Sequence, residues 1–416
     1  MSIDAKSRSL EHPLPAGMRD LLPEEAAARR ALARAALDRF ALHGYASVTP
    51  PVFEFADVLE RGLGTLDLRD VLRFIEPESG DVGALRPDMT PQVARMIATR
   101  LCERPPPFRL AYEGTVMRRL SGRARKHRQI PQVGVELAGV AGPEGDLELL
   151  ALAADSLRAM GLARFTLDMG DAGVVRSLLA GLPADAQGVI SEAIAQKDDV
   201  AIAAATADSR AAVCAPYADA IRALPLLHGK RDALVAGVEQ LADTPAAGAA
   251  RRLLGLFDAA ASRGLGEHLT ADLGEVRGFA YYTGPIFHVY AAGTGDAVGS
   301  GGRYDELLAR FGWDLPAAGF ALDLDRIGEA LSATGATGGR RPVRVVVVGP
   351  ADDPRIADLR ARGVPAVAAD DRAAGLRWAA GWGFSHVLDA AGWVDVASGA
   401  SVPSPRVPLG ISESAH

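Results

Sequence analysis

The spacing of apolar positions changes several times along the chain, and each change marks an element. From Glu24 to His43 an alanine-rich stretch puts Ala28, Leu32, Ala36 and Phe40 on one helical face, and Gly44 follows as its stop. YASVTPPVFEF (Tyr45–Phe55) reads as extended, because β-branched residues and two prolines disfavour helix there. Short apolar pieces at Leu72–Ile75 and Ala84–Leu85 flank ESGD, a hairpin turn. Met89–Arg104 then returns to helical spacing, with Val93, Ile97 and Leu101 on one side.

The next pair of segments carries the clearest alternation. FRLAYEGTVMR (Phe108–Arg118) and IPQVGVELAG (Ile130–Gly139) read as strands enclosing a basic loop, RLSGRARKH. On the second strand Val133, Val135 and Leu137 face one way, and Gln132, Gly134 and Glu136 face the other. That polar row fits either the floor of a polar pocket, with the glycine leaving room, or the solvent side of an antiparallel sheet.

Asp146 is placed to cap a helix over Leu147–Met160, and Asp171–Arg263 is mostly helical between Pro183, Pro216, Pro225 and Pro245. Strand signals return at Leu269–Leu273 and at YYTGPIFHVYAA (Tyr281–Ala292). GSGGRYDELLARFG turns into another helix, and AAGFALDLDRI (Ala317–Ile327) reads as a strand running into a helix. ATGATGGRRP (Ala333–Pro342) is a linker. Beyond it VRVVVVG has the continuous apolar character of a buried parallel strand. Helical Ile356–Arg362, AVAA, helical Ala373–Trp382 and HVLDAAG complete a βαβαβ pattern.

Composition adds exclusions. The 416 residues suffice for two or three domains, and 49% apolar with 23% charged is ordinary for a globular protein. A formal net charge of −7 gives no support to broad nucleic-acid binding. Cys102 and Cys214 read as two buried thiols, too few for a zinc site. No apolar leader opens the sequence and no apolar run reaches membrane-spanning length, which makes a soluble cytoplasmic protein the expectation. His127, His228, His288 and His386 are scattered through different elements and read as structural.

Some residues could carry chemistry. The loop from Arg118 to Arg128 holds six basic residues, which could grip phosphates or form a solvated hairpin tip; strand-end Arg118 and Arg128 are the better candidates. Arg277 precedes the adjacent Tyr281 and Tyr282, where it could neutralise a carboxylate or a phosphate, with core aromatics beside a surface arginine as the plain alternative. GSGGRYD lacks the spacing of a P-loop.

Taken in order, LPAGMRDLLPEE, LRPDMT, the Phe108–Gly139 hairpin, RGFAYYTGPIF and GGRYDELL resemble the class II histidyl-tRNA synthetase core across Leu14–Leu331. The resemblance implies an α+β fold, an antiparallel sheet flanked by helices and usually dimeric. It divides the chain into a synthetase-like core at 1–170 and 264–332, a helical insertion at 171–263, a linker at 333–342, a small C-terminal α/β module at 343–400 and a flexible tail at 401–416. It also implies a histidine pocket. Asp88, Thr90 and Gln132 would meet the ammonium group, Glu136 and Tyr282 the imidazole with Tyr281 and Tyr304 nearby, and Arg118 and Arg277 the carboxylate side. A buried carboxylate there would reject a ligand lacking ring N–H groups.

The departures from the synthetase pattern lie on the nucleotide side. Leu120 stands where an acid helps hold adenine, Ala280 where an aspartate is expected, and Asp323 where a glycine faces ATP. At ~4 Å and an effective dielectric near 20, one like-charge pair of that kind costs about 4 kcal/mol before screening. Arg277 and Arg326, which synthetases use on the phosphates, remain. The anticodon-binding domain is missing or shrunken. These departures, with LPLLHGKRDAL (Leu224–Leu234), resemble the regulatory subunit of ATP phosphoribosyltransferase, a non-catalytic synthetase paralogue that activates a short-form catalytic subunit and takes part in histidine feedback. The resemblance implies that subunit and histidine as partners, a dimer, no tRNA, no metal and no cofactor. A truncated histidyl-tRNA synthetase or a histidine-activating paralogue is the alternative.

Overall fold

The structure, a computed structural model, describes residues 14–63, 71–118, 127–207, 216–276, 281–335 and 343–405. Two compact units divide the chain, residues 1–336 and 337–416.

The first helix, α1 (Pro23–Leu42), starts with proline at its head and Glu24 and Glu25 in its first turn, both suited to a positive helix end. It stops where Gly44 takes φ +82°. Its buried face is Ala33, Ala36 and Phe40, while Ala28 is exposed.

A nine-stranded sheet forms the body of the first unit. Its strands are β1 (Ala46–Ser47), β2 (Phe108–Met117), β3 (Gln129–Ala138), β4 (Thr166–Asp171), β5 (His228–Gly229), β6 (Leu269–Asp272), β7 (Pro285–Tyr290), β8 (Gly299–Arg303) and β9 (Ala317–Asp323). They lie in the order β1-β2-β3-β9-β8-β7-β4-β6-β5. The six central strands from β2 to β4 pair antiparallel, and only β1–β2 and β4–β6 pair parallel.

Alternation along β3 divides the unit into two cores. Val133, Val135 and Leu137 join Phe40, Leu149, Leu152, Leu157, Leu167 and Phe320 in one cluster, packed under α1 and α3 (Glu144–Ala159). The opposite face carries a second cluster of Met89, Val93, Ile97, Tyr112, Tyr281, Tyr282 and Tyr304, backed by α2 (Thr90–Arg100). Helices of the 171–263 stretch contribute Leu178, Ile190, Ile202, Ile221 and Leu253 to the first cluster, so this region is built into the main core. A separate three-stranded sheet contains the hairpin around ESGD, pairing Arg73–Ile75 with Val82–Leu85.

The second unit is a five-stranded sheet. Val345–Val348 pairs in parallel with Ala366–Ala369 and His386–Asp389, and two antiparallel strands follow. Helices Pro354–Ala361 and Arg372–Trp382 alternate with the parallel strands.

Several local expectations are corrected. GSGGR is not a loop before a helix; it is the strand β8, and only a 3-10 turn, Leu308–Phe311, follows. Packing explains this: a Cβ at Gly301 would lie 2.5 Å from the Gly319 carbonyl, so glycine is needed for close strand approach. Asp146 does not cap α3 but sits buried in its first turn, facing Arg303. Cys102 is exposed, not a buried thiol, and Cys214 lies outside the described residues. Ser401–Val402 pairs with Trp393–Val394, so the reading of a flexible tail from Ser401 fails at its start.

Candidate functional site

β3 and its neighbours assemble a buried polar pocket. Gln132, Gly134 and Glu136 are all buried, which excludes the solvent-facing reading of that row. Glu136, 4% exposed, accepts a hydrogen bond at Oε1 from Thr90 Oγ1, the first residue of α2, at 2.7 Å. The Tyr304 hydroxyl, just beyond β8, donates to Glu136 Oε2. Tyr112 on β2 also hydrogen-bonds this carboxylate.

Glycines make the room. Gly319 on β9 is the register partner of Glu136, and a Cβ there would strike Glu136 Oε2 and stand 2.6 Å from the Tyr304 hydroxyl. A Cβ on Gly134 would lie 2.5 Å from the Tyr112 hydroxyl. Close backbone approach is the reason for glycine at both places.

Asp88, two residues before α2, supplies the second buried acidic side chain. Its Oδ2 accepts from the Tyr281 hydroxyl at 2.6 Å and its Oδ1 from the Thr90 backbone N–H at 3.2 Å. The rings of Tyr281, Tyr282 and Tyr304 stand 5.0–6.3 Å apart, centre to centre. Arg118 donates from Nε to the Pro87 carbonyl at 2.8 Å, which holds its guanidinium at the edge of the pocket.

Burial pushes the Glu136 carboxyl well above the usual carboxylate range; the Thr90 hydrogen bond opposes this and the charge of Asp88 adds to it. Burial, and then Asp88, also raise the Tyr281 and Tyr282 phenols, which stay neutral donors. The pocket therefore places two buried acidic side chains among hydroxyl and phenol donors.

Asp323 and Arg326 occupy the adjoining edge, since Asp323 is the register partner of Gln132. Asp323 caps the helix α4 (Leu324–Ala333), its Oδ1 accepting from the N–H groups of Asp325 and Arg326. Arg326 is engaged as well: Nη1 donates to the Ala297 carbonyl at 2.7 Å and pairs with Asp296 at 2.8 Å, and Nε lies 3.6 Å from Asp323. Leu120, Arg277 and Ala280 lie outside the described residues, as do 119–126 of the basic loop. Among the described residues no cluster of three or more His, Cys, Asp or Glu side chains could hold a metal ion.

The structure adds residues that sequence reasoning missed. Arg86, buried, bonds the carbonyls of Pro50, Pro51 and Thr115, tying β2 to the extended segment. Arg303, of the GGRYD stretch, is buried against Asp146 at 2.7 Å and Asp305 at 2.9 Å, and so fixes the backbone beside Tyr304. Tyr112 lies on β2, and nothing in its local spacing marks it as a partner of Glu136. The strand β4 was also missed, although Leu167 and Met169 alternate with Thr166, Asp168 and Gly170.

Comparison with known proteins supports what the motifs suggest. The histidyl-tRNA synthetase family model matches residues 17–327. A Syntrophotalea carbinolica protein described as an ATP phosphoribosyltransferase regulatory subunit is 39% identical over 359 residues, covering 85% of this chain and 82% of its own. One from Moorella thermoacetica is 40% identical, covering 76% and 80%. The chain belongs to the ATP phosphoribosyltransferase regulatory subunit family, built on the histidyl-tRNA synthetase fold. The solved structure of an "ATP phosphoribosyltransferase regulatory subunit/histidyl-tRNA synthetase" from Bacillus halodurans superposes with a TM-score of 0.75 at 25% identity, covering 92% of this chain and 98% of that one. Histidyl-tRNA synthetase from Nostoc shares the fold at a TM-score of 0.75 and 20% identity, over 95% and 97% of the two chains. Within this family frame, Asp88, Thr90, Gln132, Glu136, Tyr281, Tyr282 and Tyr304 are brought to one face of the sheet, and Arg118 borders them.

Proposed function

We propose that this chain is the non-catalytic regulatory subunit of an ATP phosphoribosyltransferase, that it activates a short-form catalytic subunit, and that it binds histidine as part of feedback in the first step of histidine biosynthesis. The observation that carries the first part is the kinship, at about 40% identity over most of the chain, with proteins of that description. The pocket supports the second part. Asp88 and Thr90 would take the ammonium group and Glu136 the imidazole, its carboxylate rejecting ligands that cannot donate to it. Gln132 and Tyr282 would line the ligand, with Arg118 and Arg277 on its carboxylate side.

Arg326 bears on the alternative, a histidine-activating enzyme. Its guanidinium is held by Asp296, Asp323 and a carbonyl, which favours a nucleotide side that no longer binds ATP. The chain would work as a dimer within a hetero-oligomer, without tRNA. Histidine would act by binding two states of that assembly unequally.

The test is phosphoribosyl-ATP formation by the short-form catalytic subunit from the same source, with and without this chain. Several-fold stimulation that histidine reverses is expected. Absence of stimulation and of co-elution would overturn the reading, and histidine-dependent pyrophosphate exchange into ATP would then favour the enzyme.

A further inference from the structure

Every described residue with a positive φ is a glycine except Lys197, at φ +53°. That conformation suits glycine and strains a residue with a Cβ. Lys197 adopts it just past the helix Ala184–Ala195, which it stops: its N–H donates to the Ile194 carbonyl and the N–H of Asp198 to the Ala193 carbonyl, both at 3.0 Å. Glycine would make the same turn without strain, so the reason for a lysine lies in its side chain.

The Lys197 ammonium pairs at 3.0 Å with Oδ2 of Asp272, the last residue of β6. Asp272 is 5% exposed and makes no other ion pair among the described residues. Its Oδ1 accepts from the Gly274 N–H at 2.9 Å and its carbonyl from the Glu275 N–H at 3.3 Å, so this residue sets the turn that follows β6. The same 171–263 stretch holds the turn from the other side, where the Leu273 N–H donates to the Leu227 carbonyl at 3.0 Å and β5 pairs with β6. The turn in turn lies against the wall of the pocket. Glu275, 3% exposed, covers Gly170, where a Cβ would stand 2.7 Å from the Glu275 Cβ. Gly170 is the register partner of Ile286, which belongs to the cluster of Tyr281, Tyr282 and Tyr304. Acids crowd here: burial, then the charges of Asp272 and Glu275, raise the Asp168 carboxyl against its bond from Thr270. Without the ammonium, Asp272 would be a buried charge facing like charges, and moving the turn towards water is what would relieve it.

We propose that Lys197 is a positioning residue for the histidine pocket: by holding Asp272 it fixes the turn between β6 and the tyrosine wall, and the strained backbone is retained for that contact. This rests on the histidine reading above and adds that the 171–263 stretch, which contributes none of the pocket's side chains, sets the affinity. Linkage makes the effect reciprocal, so bound histidine steadies the turn as much as the turn favours histidine.

Calorimetric titration of the full chain with L-histidine tests this, comparing wild type with Lys197→Met, which keeps an apolar stem and loses the charge, and with Lys197→Arg, which keeps the charge. Urea unfolding of each is run alongside. Lys197→Met should bind histidine about tenfold more weakly and Lys197→Arg within about twofold of wild type. Unchanged affinity in Lys197→Met, whatever its urea midpoint, would overturn the proposal and leave the pair a matter of stability alone. An equal loss in Lys197→Arg would overturn it too, since the charge would not be what acts. A wild-type chain that binds no histidine would overturn the histidine reading itself, and the proposal with it. Should Lys197→Met not fold, amide hydrogen exchange of the wild type decides: protection at residues 272–275 should rise with histidine, and no change there would overturn the proposal.

Discussion

Arg303 and Asp146 form a buried ion pair next to Tyr304 of the pocket. Burial raises the Asp146 carboxyl to about 6, against the pull of the arginine. The folded chain therefore binds more protons than the unfolded one across the range from the ordinary aspartate value up to about 6. The Asp146 contribution lowers stability as pH rises through that window, and its cost is complete above it. Replacing Arg303 by Met strands the carboxylate, so Arg303→Met should lose about 3–5 kcal/mol at pH 7 and less near pH 5, read by urea unfolding at both values. A loss that does not shrink on acidification would mean that the two side chains are not coupled.

Elements carry the next level. The strand β9 and helix α4 are joined at Asp323, and the same side chain that caps the helix brings negative charge to the edge where the resemblance places a nucleotide. Asp323→Ala should cost about 1 kcal/mol and Asp323→Gly only a few tenths, because glycine adopts the cap conformation without a side-chain acceptor. Denaturant midpoints of the two variants check this. Equal losses would show that the Asp323 hydrogen bonds to α4 are not what stabilises its start.

In the whole molecule each unit has its own core. Unit 337–416 packs Val345, Val347, Ile356 and Leu359 on one sheet face and Val346, Ala379, Phe384 and Val387 on the other. All the described residues of the candidate pocket belong to the first unit. Residues 1–335 produced alone should therefore unfold within about 4 °C of the full chain and bind histidine with unchanged affinity, read by calorimetry. Loss of binding on truncation would mean that the C-terminal unit completes the site.

Local pattern determined a good deal by itself. The polar row Gln132–Gly134–Glu136, opposite Val133–Val135–Leu137, announced a two-sided strand, because side-chain direction alternates along any strand. The stop of α1 at Gly44 and the strand-to-helix turn at Asp323 follow from single-residue backbone and capping preferences. Ordered motifs identified the family. What periodicity could not decide was whether the polar row met water or protein; α2, Tyr112 and Tyr304, from three other parts of the chain, bury it. Nor could it show that GSGGR is a strand, since glycine's weak preferences are overridden by close contact with β7 and β9. The partners of Arg303 and Arg326 were equally hidden. Spacing along one segment reports which face a side chain takes, but the charge it meets there is set by segments far away in sequence, and only tertiary packing brings them together.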